Sequence, residues 1–353
     1  MQKIISGIQQ VGIGVPDLEK SWAWYRKWFG MDIPVLNDIA EADLMTNYTG
    51  NKVQCRHACL AININGGGGF EIWQFTSREP QPAKFEVILG NYGIFITKMK
   101  TSSVEKSIAN FKKKDINLLS EVITDPAGNK KFYLKDPLGN IFQMIESNIW
   151  LTNGTSDRSG GVAGVVLGVS DMDKSLKLYS GVLGFDEIIF DEQGVFDDFS
   201  SLPGGQQKVR RILLKHTKPM AGPFSRLLGP ASIELVQALE GKHHSIYIDR
   251  MWGDQGFIHL CFDIKNMDAL KEECKQAGFG FTVDSQDSYD MGDSAGRFSY
   301  IEDPDGTLIE FVETDRVPIF KKIGWYLDIS KRDPSKPLPD WLVRAMRFGR
   351  KND

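Results

Sequence analysis

Val11, Ile13 and Val15 alternate with Gln10, Gly12 and Gly14, the two-residue period of a strand with one buried face. The period then changes. Trp22, Tyr25, Trp28 and Phe29 fall on one stripe of a helix that Asp17 can cap at its start and Gly30 can end. Extended segments at about 53–64 and 69–75 follow, joined through the run Gly66 to Gly69, so the first quarter of the chain reads as a βαβββ unit. The second quarter repeats the order, with a strand over 93–98, a helix over Val104–Lys113 and a hairpin closing at Asp136-Pro137-Leu138-Gly139.

The same pattern returns in the second half. Val15, Asp17, Lys20, Ser21, Tyr25, Gly30 and Asp32 recur as Val169, Asp171, Lys174, Ser175, Tyr179, Gly184 and Asp186, all at one offset of 154 residues. Asp136-Pro137-Leu138-Gly139-Asn140 returns as Asp303-Pro304-Asp305-Gly306-Thr307. The chain is therefore a duplicated unit, each half built of two modules. Residues 1–150 and 162–315 are the expected domains, 151–161 a small, polar linker, and 316–353 a separate tail.

The run of strand, Val-x-Asp-x-x-x-Ser-x-x-x-Tyr, Leu-Gly-Phe and Asp-Pro-x-Gly-x-x-Ile-Glu resembles the vicinal oxygen chelate superfamily, which holds glyoxalases, bleomycin-resistance proteins and ring-cleaving dioxygenases. That resemblance implies an α+β fold: four βαβββ modules forming two cup-shaped, eight-stranded mixed sheets with helices outside. Each half is expected to close one cup. Members carry up to four metal ligands per cup, and by resemblance these positions fall on Gly164, Glu234, His259 and Glu310 in the second half. In the first half they fall on Gln10, Glu71, Gly93 and Gln143, a degenerate set without histidine. Glu234, His259 and Glu310 are thus the expected metal ligands, for Zn, Ni, Mn, Co or Fe, and Glu234 or Glu310 is the expected catalytic base.

Strand parity gives an independent check. Ile258, Leu260, Phe262 and Ile264 form an apolar face, which turns His259 and Cys261 the other way, and Ile309 with Phe311 does the same for Glu310. Two buried carboxylates and an imidazole sharing one cavity need a cation or protons to neutralise them. The same argument, with Ala58, Leu60 and Ile62 as the apolar face, directs Cys55, His57 and Cys59 into the first-half cup. His216 and the pair His243-His244 lie among polar neighbours and read as solvated.

The expected activity is that of a divalent-metal-dependent lyase or isomerase that chelates two vicinal oxygens of a small-molecule substrate. The alternatives are a ring-cleaving dioxygenase, weakened by the glycine at 164, and a protein that sequesters a ligand without chemistry. No phosphate-binding glycine loop and no Gly-x-Ser-x-Gly elbow occurs.

Composition narrows this further. Forty-two Lys and Arg against 46 Asp and Glu leave a net charge of -4, so no nucleic acid partner is expected. No apolar run reaches the roughly 18 residues of a membrane span, and four cysteines are too few for a disulfide scaffold, so a cytoplasmic protein is expected. The charge is uneven: residues 316–353 carry ten Lys or Arg and four Asp or Glu. With Trp341, Leu342, Met346 and Phe348 in that tail, Asp340–Arg350 could form a basic amphipathic helix that packs over a domain or a second copy in a homodimer.

Overall fold

A computed structural model describes residues 2–114, 116–153, 158–286, 289–291, 294–320 and 324–351. The chain forms two curled mixed sheets, each with a hollow face, with helices on the other face. The first module contributes β1 (Ile4–Gly14), α1 (Leu18–Phe29), β2 (Ile33–Glu41), β3 (Cys55–Ile62) and β4 (Gly69–Phe75). The second contributes β5 (Gly93–Thr101), α2 (Val104–Lys112), β6 (Ile123–Thr124), β7 (Lys130–Lys135) and β8 (Ile141–Glu146). The third holds β9 (Ser159–Gly168), α3 (Met172–Leu176), β10 (Glu187–Gly194), β11 (Val209–Lys215), α4 (Ser225–Leu228) and β12 (Ser232–Ala238). The fourth holds β13 (Gly256–Lys265), α5 (Met267–Gln276), β14 (Val283–Asp284), β15 (Tyr289–Met291), β16 (Ser294–Glu302) and β17 (Leu308–Phe320). The tail adds β18 (Trp325–Asp328) and α6 (Asp340–Ala345).

The expected α+β architecture of two cups is present, but neither cup belongs to one half. One sheet runs β14-β16-β17-β13-β1-β4-β3-β2, with β15 and β18 paired at its side, and joins the first module to the fourth. The other runs β10-β11-β12-β9-β5-β8-β7-β6 and joins the second to the third. The seams are antiparallel pairs, β1 with β13 and β5 with β9. This corrects the expectation that each half closes its own cup. Any module's first strand has a free edge suited to any other's, so local sequence leaves the partner open.

The repeated residues instead tie each half together across the two sheets. Asp17 and Asp171 cap their helices by accepting from the Lys20 and Lys174 amides. Tyr25 donates to Asp136 at 2.7 Å, and Tyr179 to Asp303 at 2.8 Å. Those tyrosines are buried in a core that also takes residues from both sheets, among them Val11, Phe142, Leu167 and Leu260. The tail packs on the first sheet, where Leu338, Leu342, Val343 and Met346 bury against Ile33, Ile62, Leu227 and Leu228. It forms the short helix α6 and one tighter turn rather than a single helix to Arg350.

Candidate metal centre

Four strands of the first cup each bring one polar side chain to a common point: Gln10 from β1, Glu71 from β4, His259 from β13 and Glu310 from β17. His259 Nε2 lies 3.3 Å from Glu71 Oε2 and 3.2 Å from Glu310 Oε2, and Gln10 Nε2 donates to Glu310 Oε2 at 3.2 Å. One donor atom of each of Glu71, His259 and Glu310 can be chosen so that all lie within 4.8 Å of one another.

The strands hold these groups by register. Gln10 sits opposite Cys261 and Gly12 opposite His259, while Cys261 is level with Glu310 and Gly12 with Glu71. A shift in the β1–β13 ladder leaves Ile258 as an extra residue beside His259, a bulge that turns the imidazole into the cup. Gly12 makes room for it: a Cβ there would fall 2.4 Å from the His259 ring. Tyr300, opposite Glu310, and Trp252 pack their rings against His259 at centroid distances of 5.7 and 6.3 Å.

The site is desolvated and rich in negative charge. Burial pushes the Glu71 carboxyl up to about 7, with Glu310 adding to the rise and His259 opposing it. Burial works against an imidazolium at His259, yet Glu310 and Glu71 outweigh it and raise its pKa. Gln10 Oε1 is buried without a hydrogen-bond partner, and the His259 contacts to Glu71 and Glu310, at 3.3 and 3.2 Å, are close but too poorly aligned to satisfy Glu71 Oε2 and His259 Nε2 as hydrogen bonds. Unsatisfied acceptors turned toward one point, with two carboxylates among the donors, fit a divalent cation: the oxygens and the imidazole could all ligate it, and its charge would offset theirs. A cleft opens onto this point, walled by Leu36, Leu60, Trp73, Trp252, Phe298 and Tyr300, with Arg56, Glu41 and Asp43 at its polar side.

His259 and Glu310 therefore come together as expected, but Glu234 does not join them. It lies in the second cup, at the position Glu71 has in the first, since Glu234 is level with Val166 as Glu71 is with Gly12. There Lys98 Nζ donates to it at 2.9 Å and Arg211 Nε at 2.9 Å. Arg211 and Lys131 also pair with Asp198, at 2.8 and 2.6 Å. Burial alone would raise the Glu234 carboxyl, but Arg211, Lys98 and Lys131 hold it well below the usual carboxylate range. Lysine and arginine charges occupy the place a metal would take.

The remaining ligand positions of that cup cannot compensate. Gly164 has φ 148°, and a Cβ on it would lie 2.0 Å from the Ser232 carbonyl oxygen. Gln143 matches Glu310, because it is level with Lys98 as Glu310 is with Cys261. That register gives Ile96, not Gly93, the place of His259; Gly93 pairs with Gly168 as Gly256 does with Gly14.

The other candidates are structural. Arg56, Leu60 and Ile62 face the hollow of the first cup, whereas Cys59 packs in the core beneath it, the reverse of the expected parity. Arg56 is held there by an ion pair to Asp38 and by the Trp73 ring, 5.3 Å away. His57 meets Asn37 at 2.7 Å, and His216 packs against Phe185. His243 meets the Glu240 carbonyl and His244 the Phe85 ring. Sequence reasoning had Gln10 and Glu71 at ligand positions but assigned them to a separate, deficient cup. The available signal was complementarity, since only cross-pairing of modules gives one set with four donors.

The model of the Glyoxalase/Bleomycin resistance protein/Dioxygenase superfamily matches residues 7–144 and 161–311. Among solved structures, glyoxalase I from Zea mays is 16% identical over 88% of this chain and 92% of that one, with a TM-score of 0.53. A putative dioxygenase from Bacillus subtilis is 15% identical over 88% of this chain and 86% of that one, with a TM-score of 0.56. At such identities the likeness is one of fold. A search of curated proteins returns no significant match. Among the described residues, no helix is long and apolar enough to cross a membrane.

Proposed function

Because the chain belongs to the Glyoxalase/Bleomycin resistance protein/Dioxygenase superfamily, we propose that its first cup is a divalent-metal site at which a small substrate with two neighbouring oxygens undergoes proton transfer, as in a lyase or isomerase. The convergence of Gln10, Glu71, His259 and Glu310 at the floor of a cleft carries this reading. A bound divalent cation would supply Lewis acidity, polarising the two substrate oxygens and acidifying the adjoining C–H bond. Glu71 and Glu310 are the groups suited to move the proton. Both carboxylates converge on the same point as the imidazole, so either would lie beside a substrate held there. Tyr300, Trp73 and Trp252 keep water away from the reacting carbon. Glu234, held as a carboxylate by two cations, is not part of this machinery.

One imidazole and two carboxylates are not the two-histidine, one-carboxylate set of an iron dioxygenase, so ring cleavage is the less supported activity. Metal analysis of protein purified without chelator tests the proposal, together with solvent-deuterium incorporation into a panel of 2-hydroxy ketones followed by NMR. We expect one divalent ion per chain and exchange that survives replacement by zinc. Metal-free protein that cannot be reconstituted, or cleavage of catechols by the Fe(II) form under oxygen, would overturn it.

A further inference from the structure

The metal cleft does not end at its aromatic walls. Gln9, Leu60, Phe298 and Val312 wall it and also wall a second, apolar cleft that continues away from the ligands. The path follows paired strands. On β16 and β17, Tyr300 is opposite Glu310, Phe298 opposite Val312, and Gly296 opposite Thr314, so each step moves the floor one cup-facing pair further from the metal ligands. Leu60, level with Glu71, is followed by Ile62 on the other side. At strand spacing the run from Glu310 to Thr314 spans about 13 Å, the length of an extended chain of roughly ten to twelve carbons.

The far part of this cleft is lined by elements outside the repeated modules' strands. Leu227 and Leu228 of α4 and Met346 of the tail line it with Val317. The charged side chains nearby are already engaged. Arg297 is bound to the Asp284 carboxylate by two nitrogens, at 2.9 and 2.8 Å, and to Asp268 at 2.7 Å. Glu313 accepts from the Asn266 and Met267 amides, at 2.9 Å each. An anionic extension of a substrate would lose hydration there and, among the described residues lining the cleft, find no cation that is not already bound to carboxylates, whereas an apolar one loses nothing.

We propose that the substrate is amphiphilic, with a chelating pair of oxygens at the metal end and an unbranched alkyl or arylalkyl body lying between β3 and β17 under the α4 and tail cap. This rests on the metal-site reading and extends it to substrate class. The test is calorimetric titration of the full-length, zinc-loaded protein with alkyl hydroxamates, from acetohydroxamate to tetradecanohydroxamate. Affinity should rise about fourfold per added methylene and level off near roughly ten to twelve carbons. A hydroxamate of equal length ending in a carboxylate should bind at least tenfold more weakly than its alkyl counterpart, by the same apolar increment and the cost of stripping water from the charge. Ile62→Trp, at a residue that lines the apolar cleft but not the metal cleft, should flatten the series beyond the first few carbons without changing acetohydroxamate affinity. Met346→Trp, at the edge of the cap, should only shorten it, and so covers the case in which the first variant misfolds. Intact acetohydroxamate binding with no dependence on chain length would overturn this inference and leave the metal site standing. Failure of acetohydroxamate itself to bind would remove both.

Discussion

Changing Glu to Gln at the two equivalent positions, 71 and 234, removes one carboxylate charge from each cup and should move stability in opposite directions. In the first cup of metal-free protein the Glu71 carboxylate is buried beside Glu310, and its pKa lies at about 7 against an ordinary 4.5. At about 1.4 kcal/mol per pH unit, the ionised form costs the folded state on the order of 3 kcal/mol. A folded pKa above the unfolded one means that wild-type stability is complete below pH 4.5 and is lost as pH climbs through 7. Glu71→Gln should therefore match wild type near pH 4 and exceed it by up to that amount at pH 8. In the second cup, Glu234 neutralises Lys98 and Arg211, both inaccessible to water. Its folded pKa is depressed, so its contribution is present above pH 4.5 and fades only as pH falls below that. Glu234→Gln leaves two buried cations short of a counter-charge and should cost about 3 to 5 kcal/mol at neutral pH. Urea unfolding of chelator-treated proteins at pH 4, 6 and 8 measures both effects, and metal analysis before chelation supplies the second readout. Glu71→Gln should lose metal while gaining stability; Glu234→Gln should keep metal while losing stability. The reasoning fails if both variants destabilise alike at pH 8, or if metal is lost from the Glu234 variant and retained by the Glu71 variant.

Gly12→Ala places a methyl group where the His259 ring now lies, so metal occupancy should drop at least tenfold with little change in far-ultraviolet circular dichroism; unchanged occupancy would mean the ring has another seat. Asp263 is buried and its pKa is pushed up to about 7 by burial, against the pull of Ser6 and Lys265. Asp263→Asn should thus be neutral below pH 4 and stabilising above pH 7, by as much as about 4 kcal/mol, as read by urea titration. Leu342→Ala in α6, whose side chain is buried against the first sheet, should cost about 2 to 5 kcal/mol; a cost near zero in thermal unfolding would show the tail detached.

The modules themselves were legible in the sequence because their signals are local. A two-residue period in 11–15, a helical stripe from Trp22 to Phe29 and the recurring Asp-Pro-x-Gly turns each express backbone geometry within a dozen residues. Alternation also turned His259 and Glu310 toward a cup, since Leu260, Ile309 and Phe311 had to face the core. It misjudged β3, because the hollow of this cup is itself largely apolar and accepts Leu60 and Ile62, leaving no polarity contrast to read. Which cup His259 and Glu310 entered, and with whom, was settled only by tertiary pairing. Four first strands of similar character can form antiparallel seams in more than one combination, and the choice of β1 with β13 rests on the summed packing of whole modules. That choice brings Gln10 and Glu71 to His259 and Glu310, and it leaves Glu234 to Lys98 and Arg211, whose approach from β5 and β11 no spacing along the chain records.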